Sequence, residues 1–391
     1  MKVLSFLITT CFLFFTNIYT ENSAENPYAP NENTIKLDIS KAITETEPFL
    51  SKLKITKVVK LKGDVDTYIS SSRKIIDRDN KIYICDYEES NLSIFDYEGN
   101  YVSKVGGKGR GPGEFDRIFD FTILDDGRFV VIDRKGLMLF DKNKQHVSSK
   151  YHNPSLICQW PDNKFVVFFD ATKYARSSSN LIIYDTNYKV IDELFPYPEE
   201  TKTNTAGFFG LGGIVNTPSG ILLNEASSPI FYEIHKDGNS YPKYEITGNS
   251  KIWPHEDRYK LKAFAKETND GIAIYPAYPF RENNNAFVFS LVLEDKKMHT
   301  FFYDKIENKL YQPDLLNEPY LYAFFRTVFG FGVNQKNEFI IPVYMNKLYR
   351  KLNKDETLKT DMAKYFPELL TLAEGTDEYS NPALVYFTFG E

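Results

Sequence analysis

Residues 74–102, KIIDRDNKIYICDYEESNLSIFDYEGNYV, decide the fold. They read as an apolar strand, an Asp79-Asn80 turn, an apolar strand ending in Asp86, a short polar link, a strand ending in Asp96, a Glu98-Gly99 turn and a last strand. Short β-rich runs bounded by Asp, Asn and Gly are the pattern of small antiparallel strands. Residues 118–147, IFDFTILDDGRFVVIDRKGLMLFDKNKQHV, repeat the same order with Asp126-Gly127, Asp133 and Asp141. A third copy runs ICQWPDNKFVVFFD from Ile157 and resumes after a polar insertion as NLIIYDTNYKVI from Asn180.

Further copies are worn. The stretch from Ile214 to Ile246 keeps turns at Pro218-Ser219-Gly220 and Asp237-Gly238, and that from Asn283 to Pro313 keeps a strand, a link, a strand ending in Asp304 and a turn. The stretch from Val328 to Leu352 keeps a turn at Lys336-Asn337 and two strands. Six copies of a unit that cannot bury both faces alone predict an all-β, six-bladed β-propeller of four-stranded antiparallel blades. Middle strands covered on both faces become continuous apolar runs, as Phe129–Ile132 and Phe165–Phe169 are. LKITKVVKL from Leu53 and ALVYFTF from Ala383 are the strands expected to close the ring from the two chain ends. Helical patterns from Asp257 and from Pro367 read as surface insertions.

Outside the repeats, Met1 and Lys2 precede an almost unbroken apolar run from Val3 to Phe15 and then ENSAENPYAPNEN, the charged, apolar and polar order of a secretory signal. The expected organisation is a signal peptide over 1–20, a flexible leader over 21–50 and one propeller over 51–391. The run is too short to remain as a membrane-spanning helix, and no second stretch of 18 apolar residues follows. Cys11 as a lipid-anchored cysteine is the less favoured reading, because Thr10 precedes it and FLFF follows it. Cys85 and Cys158 lie in apolar runs, where a free cysteine packs as a small hydrophobe; a disulfide between them stays open.

The composition excludes more than it assigns. Apolar residues make up 42% and charged residues 26% of 391, with 32 Phe and 27 Tyr, a mixture able to bury a large core. A formal charge of −6 removes the electrostatic footprint of nucleic-acid binding.

The segment GGKGRGPGEF at 106–115, with FDYEGNYV at 95–102 before it and SNPALVYF at 380–387, resembles the NHL-like six-bladed β-propeller proteins exported by Bacteroidetes-type bacteria. The resemblance covers nearly the whole chain after residue 50 and implies the fold, an envelope location (periplasm or outer surface) and mostly uncharacterised roles. A lipid anchor is common in such relatives.

Gly107, Gly109, Gly111 and Gly113 with Lys108 and Arg110 suggest a phosphate cradle, but Gly109 follows Lys108 where a Walker loop needs Ser or Thr, and a β-like run follows where a dinucleotide loop opens a helix. The loop reads better as an inter-blade crossing, with Lys108, Arg110 and Arg117 available to an anionic or carbohydrate ligand. Trp160, Phe208 and Phe209 are further face-loop candidates, with core packing as the competing use. The five histidines show no metal-ligand spacing, and Asp86, Asp96, Asp133, Asp141, Asp170, Asp185 and Asp304 read as strand-end residues that accept backbone N–H bonds. The functional expectation is a non-catalytic, monomeric binding module for a protein or glycan ligand at one face of the ring, without cofactor. The alternative is a calcium-dependent propeller hydrolase or lactonase with ligands in the channel, for which Asp120, Asn216, Glu225 and Asn334 are the candidates by position.

Overall fold

The computed structural model describes residues 29–63, 67–170, 177–198, 201, 212–325, 331–377 and 380–390. Their strands form six sheets, each built on four antiparallel strands. The first sheet holds Ser72–Arg78, Lys81–Asp86, Asn91–Asp96 and Tyr101–Val105, and the second holds Ile118–Ile123, Phe129–Asp133, Gly136–Phe140 and His146–Lys150. The third holds Leu156–Trp160, Lys164–Phe168, Ser179–Tyr184 and Val190–Pro196; the fourth holds Gly212–Asn216, Gly220–Glu225, Ile230–His235 and Ser240–Thr247. The fifth holds Tyr275–Glu282, Ala286–Val292, Met298–Asp304 and Lys309–Tyr311. The sixth is composite: Gly332–Val333, Phe339–Val343 and the C-terminal Ala383–Phe389 are completed by the N-terminal Leu53–Lys60, which pairs antiparallel with Ala383–Phe389.

The first strands of consecutive sheets are neighbours, and that of the sixth sheet neighbours that of the first. Side chains alternate across each strand, so one strand serves two interfaces. In the second sheet Phe129 and Val131 pack with Tyr83, Cys85 and Ile94 of the first, whereas Val130 and Ile132 pack with Ile157, Phe165 and Val167 of the third. The same division recurs between the third and fourth sheets, the fourth and fifth, the fifth and sixth, and the sixth and first. A fully buried Val, Leu or Phe contributes about 1.5–3 kcal/mol, and these intersheet layers hold most of the buried apolar side chains. The result is an all-β, propeller-like architecture with few helices.

Turns and strand ends follow the residues that need them. Asp79 and Asn80 take φ of 53° and 58°, and Asp162 and Asn163 take 60° and 58°, the left-handed pair of a two-residue hairpin. Four of the strand-end aspartates accept the backbone bonds expected of them, Asp96 from Glu98 and Asn100, Asp141 from Asn143 and Gln145, Asp185 from Asn187 and Lys189, and Asp304 from Ile306 and Glu307, while Asp170 accepts from the Ser155 hydroxyl at 2.7 Å. Asp86 and Asp133 do more. Each also takes backbone N–H groups from the segment entering its own sheet, Ser70 and Ser71 for Asp86, Asp116 and Arg117 for Asp133.

Two expectations need correction. The leader expected to be flexible over 21–50 is ordered from Ile35: Ile35–Asp38 adds to the fourth sheet as a parallel fifth strand beside Ser240–Thr247, and Thr46–Lys52 is a helix whose Phe49 is fully buried. Leu37 and Phe49 supply the apolar anchors that a polar composition hid. The helix over Pro367–Glu374 is not a surface insertion. With Met345–Leu352 and Glu356–Tyr365 it fills the connection between the second and third strands of the sixth sheet. Leu348, Leu352, Leu358, Met362, Phe366 and Leu369 share one core with Phe339 and Phe387 of that sheet, and Phe366 stacks on Phe324 at 4.8 Å.

Candidate functional site

Each sheet's first strand begins at a crossing from the preceding sheet and ends in a tight turn. The two ends of these strands therefore lie on opposite faces of the assembly. At the turn end, all six first strands contribute to one cavity of about 510 Å³. Its lining comes from Lys74–Arg78, Thr122 and Ile123, Cys158–Trp160, Ile214–Asn216, Tyr278 and Arg281, and Gly332–Val333, with Asn334, Gln335 and Asn337 from the last turn.

The cavity's lining includes a buried polar cluster. Lys74 Nζ lies 3.1 Å from Asp120 Oδ1 and donates to the Ile157 carbonyl at 2.7 Å. Asp120 is held in turn by the backbone N–H of Phe121 (2.8 Å, to Oδ1) and of Ile157 (2.8 Å, to Oδ2). Burial would lower the Lys74 pKa, but the Asp120 carboxylate outweighs it and holds the ammonium above its ordinary value. Burial pushes the Cys158 thiol up to about 12, against the pull of Lys74. Arg281, 6% exposed, donates from Nε to the Phe331 carbonyl at 2.7 Å and from Nη1 to the Phe280 carbonyl at 2.7 Å. Both of its Nη atoms reach the Tyr278 hydroxyl at 3.4 Å.

The residues singled out in the sequence scatter over this frame. Lys108 and Arg110 are exposed on the crossing that leads into the second sheet, at the face opposite the cavity. That crossing closes on itself: Gly109 N–H donates to the Phe115 carbonyl, Phe115 N–H to the Gly107 carbonyl, and Gly111 N–H to Glu114 Oε2 at 2.7 Å. The N–H groups of Gly109 and Gly111 are thus engaged within the loop. Arg117 lies 4.9 Å over the Tyr87 ring and donates to its hydroxyl at 3.1 Å. Trp160 is buried in the core between the third and fourth sheets and also lines the cavity. Phe208 and Phe209 lie outside the described residues. Cys85 and Cys158 are free, buried thiols.

Of the four channel-ligand candidates, Asn216 and Asn334 line the cavity and Asp120 pairs with Lys74 beside it, whereas Glu225 stands apart. Asp120 and Asn216 are on first strands, Asn334 follows one, and Glu225 ends a second strand. Glu225 pairs with Gly212 at the opposite end of the hairpin from Asn216, four residues or about 13 Å away at the rise of a strand. Glu225 is buried and accepts from the Tyr259 hydroxyl at 2.7 Å. Asn216 is tied to the Gln159 backbone, and Asn334 Nδ2 donates to Glu338 at 2.8 Å. Among the described residues no group of three or more His, Cys, Asp or Glu side chains could hold a metal ion, and no helix is long and apolar enough to cross a membrane.

Tyr278 and Arg281 escaped the sequence reading. Their strand, YPAYPFRE, carries two prolines and a register irregularity between Ala277 and Arg281, so no alternation marks it as a strand. The usable signal was arithmetic: the fifth repeat, counted from Asn283, was missing its first strand.

A family model described as a domain of unknown function, DUF4934, matches residues 35–388. The chain belongs to this family. No curated protein matches it. Among solved structures, it is similar to an exported-protein candidate of Bacteroides fragilis at 16% identity and a TM-score of 0.70, over 92% of this chain and 100% of that one. It is also similar to a DUF4221-family member from Bacteroides vulgatus at 11% identity and a TM-score of 0.50, over 86% and 97% of the two chains. At these identities the likeness concerns the fold alone. Both neighbours come from Bacteroides, the kind of source that the glycine-loop resemblance implied.

Proposed function

We propose that this DUF4934 chain is an exported, non-catalytic binding module: a closed, NHL-like, six-bladed β-propeller that receives its ligand in the cavity at the turn face. The observation that carries the reading is that the first strands of all six sheets line that one cavity. Closure is read from the composite sixth sheet, where Leu53–Lys60 pairs with Ala383–Phe389 and ties the chain ends together. Export is read from the apolar run Val3–Phe15, with release to the periplasm or outer surface and Cys11 as the less favoured anchor.

A concave site of this size takes a sugar or a small organic group, whether free or as the tip of a glycan or protein. Its amides and indole suit recognition, whereas the Asp120 carboxylate is already committed to Lys74 and two backbone N–H groups. That commitment counts against an Asp120-based cation site or general base.

Thermal-shift screening of the purified chain against monosaccharides, disaccharides and small organic acids tests this reading. A binder should lose its effect in Asn216→Trp, which obstructs the cavity mouth, and keep it in Arg110→Gln and Arg117→Gln on the other face. The reverse pattern would move the site to the crossing loops.

A further inference from the structure

The cavity's donors and charges define what kind of ligand it takes. A guanidinium has five N–H donors, and those of Arg281 meet only uncharged oxygens among the described residues, those of Phe331, Phe280 and Tyr278. Nη2, which carries two of the five, has one long contact of 3.4 Å to Tyr278. A buried charge without a counter-ion is costly, and an ordinary protein pairs it. Asp120 cannot serve, because it is the partner of Lys74. The Tyr278 hydroxyl accepts from Arg281 and, among the described residues, gives its own proton to nothing; the guanidinium beside it strengthens that O–H as a donor. Tyr278, Arg281 and Lys74 all line the cavity with Arg78 and Lys236, four cations against the two carboxylates of Asp77 and Asp125, which are engaged by Tyr97 and Asn334 and by Gln159, while Asp120 stands behind Lys74.

Resting on the cavity as the binding site, we propose that its ligand is a small oxyanion-bearing molecule whose carboxylate or phosphate takes the Tyr278 O–H and the unmet N–H of Arg281, with Lys74 adding charge. The hydroxylated remainder of the ligand faces Gln159, Asn216 and Asn337 at the mouth. The missing counter-ion of Arg281 is then supplied by the ligand.

The chain has two tryptophans, and Trp160 lines the cavity while Trp253 packs on Phe264 elsewhere. In a Trp253→Phe background, Trp160 emission reports on occupancy. The probes are D-glucuronate, its neutral counterpart D-glucose, and inorganic phosphate. Glucuronate and phosphate should change the emission saturably, and glucose should bind at least about tenfold more weakly, the usual effect of a hydrogen bond to a charged group. Tyr278→Phe, which removes one hydroxyl and keeps the ring, should weaken glucuronate by about fivefold or more without loss of fold; Arg281→Gln should weaken it further. Equal binding of glucose and glucuronate would overturn the oxyanion assignment and leave the cavity standing as a neutral-ligand site. So would unchanged glucuronate affinity in Tyr278→Phe. Absence of any response to both anions would also overturn it, while the Asn216→Trp screen separately decides whether the cavity binds at all.

Discussion

Lys74 and Asp120 pair at 3.1 Å between the first strands of two different sheets, and the same carboxylate accepts the Ile157 N–H of a third. One side chain thus pins three sheets together beside the cavity. Removing it leaves the Lys74 ammonium without a counter-charge and the backbone N–H groups of Phe121 and Ile157 without this acceptor. Asp120→Ala should cost about 3–5 kcal/mol of unfolding free energy, measured by urea denaturation. A loss under 1 kcal/mol would show that water replaces the carboxylate.

Acid sensitivity should centre partly on His255. Burial, helped by the Arg258 charge, lowers its pKa to about 4, with Ser228 Oγ at 2.8 Å from Nδ1. The unfolded chain binds this proton below its ordinary value of about 6.5, while the folded chain resists until about 4. Its contribution is therefore present above 6.5 and is lost as pH falls through that window. Relative to wild type, His255→Gln should become less unfavourable by about 2–3 kcal/mol between pH 7 and pH 4. Parallel stability curves would contradict the assignment.

The glycines of the crossing loop serve geometry. Gly106 has φ of 62°, and a Cβ there would stand 2.6 Å from the Phe115 ring and 2.8 Å from the Gly113 carbonyl. Gly106→Ala should destabilise by about 2–3 kcal/mol while ligand affinity in the cavity stays unchanged. Coupled loss of affinity at full stability would return the loop to the binding site.

The two thiols should be silent in the native protein. Cys85 and Cys158 are at most 1% exposed, and burial raises both pKa values, that of Cys158 to about 12. A thiol-reactive dye at pH 8 should label neither until the chain unfolds, because thiolate and access are both lacking. Rapid native labelling at either position would mean that its sheet opens locally.

Much of the fold was legible because it repeats. The Asp-bounded strands of residues 74–102 and 118–147, and the closing pair Leu53–Lys60 with Ala383–Phe389, stand in the structure where the pattern put them. What escaped was non-repetitive. Ile35–Asp38 looked like part of a polar leader because its partner strand lies some 200 residues away, and a single parallel edge strand leaves only four residues of signal. Met345–Leu352 and Glu356–Tyr365 interrupt a sheet whose third strand waits until Ala383. Among site residues, Trp160, Asn216 and Asn334 reach the cavity, while Arg110 and Arg117 stand on the other face; their charge was visible in sequence, their side of the ring was not. Arg281 was invisible for the opposite reason, since a lone arginine after two prolines acquires meaning only when five other strands surround it.

Hydrogen–deuterium exchange of the full chain, with and without saturating D-glucuronate, tests the central claim most directly. The account predicts slowed exchange in the turns that end the first strands, at residues 159–163, 215–219 and 333–337, and no change over residues 106–117. Protection confined to residues 106–117, with the turn face unaffected, would contradict it.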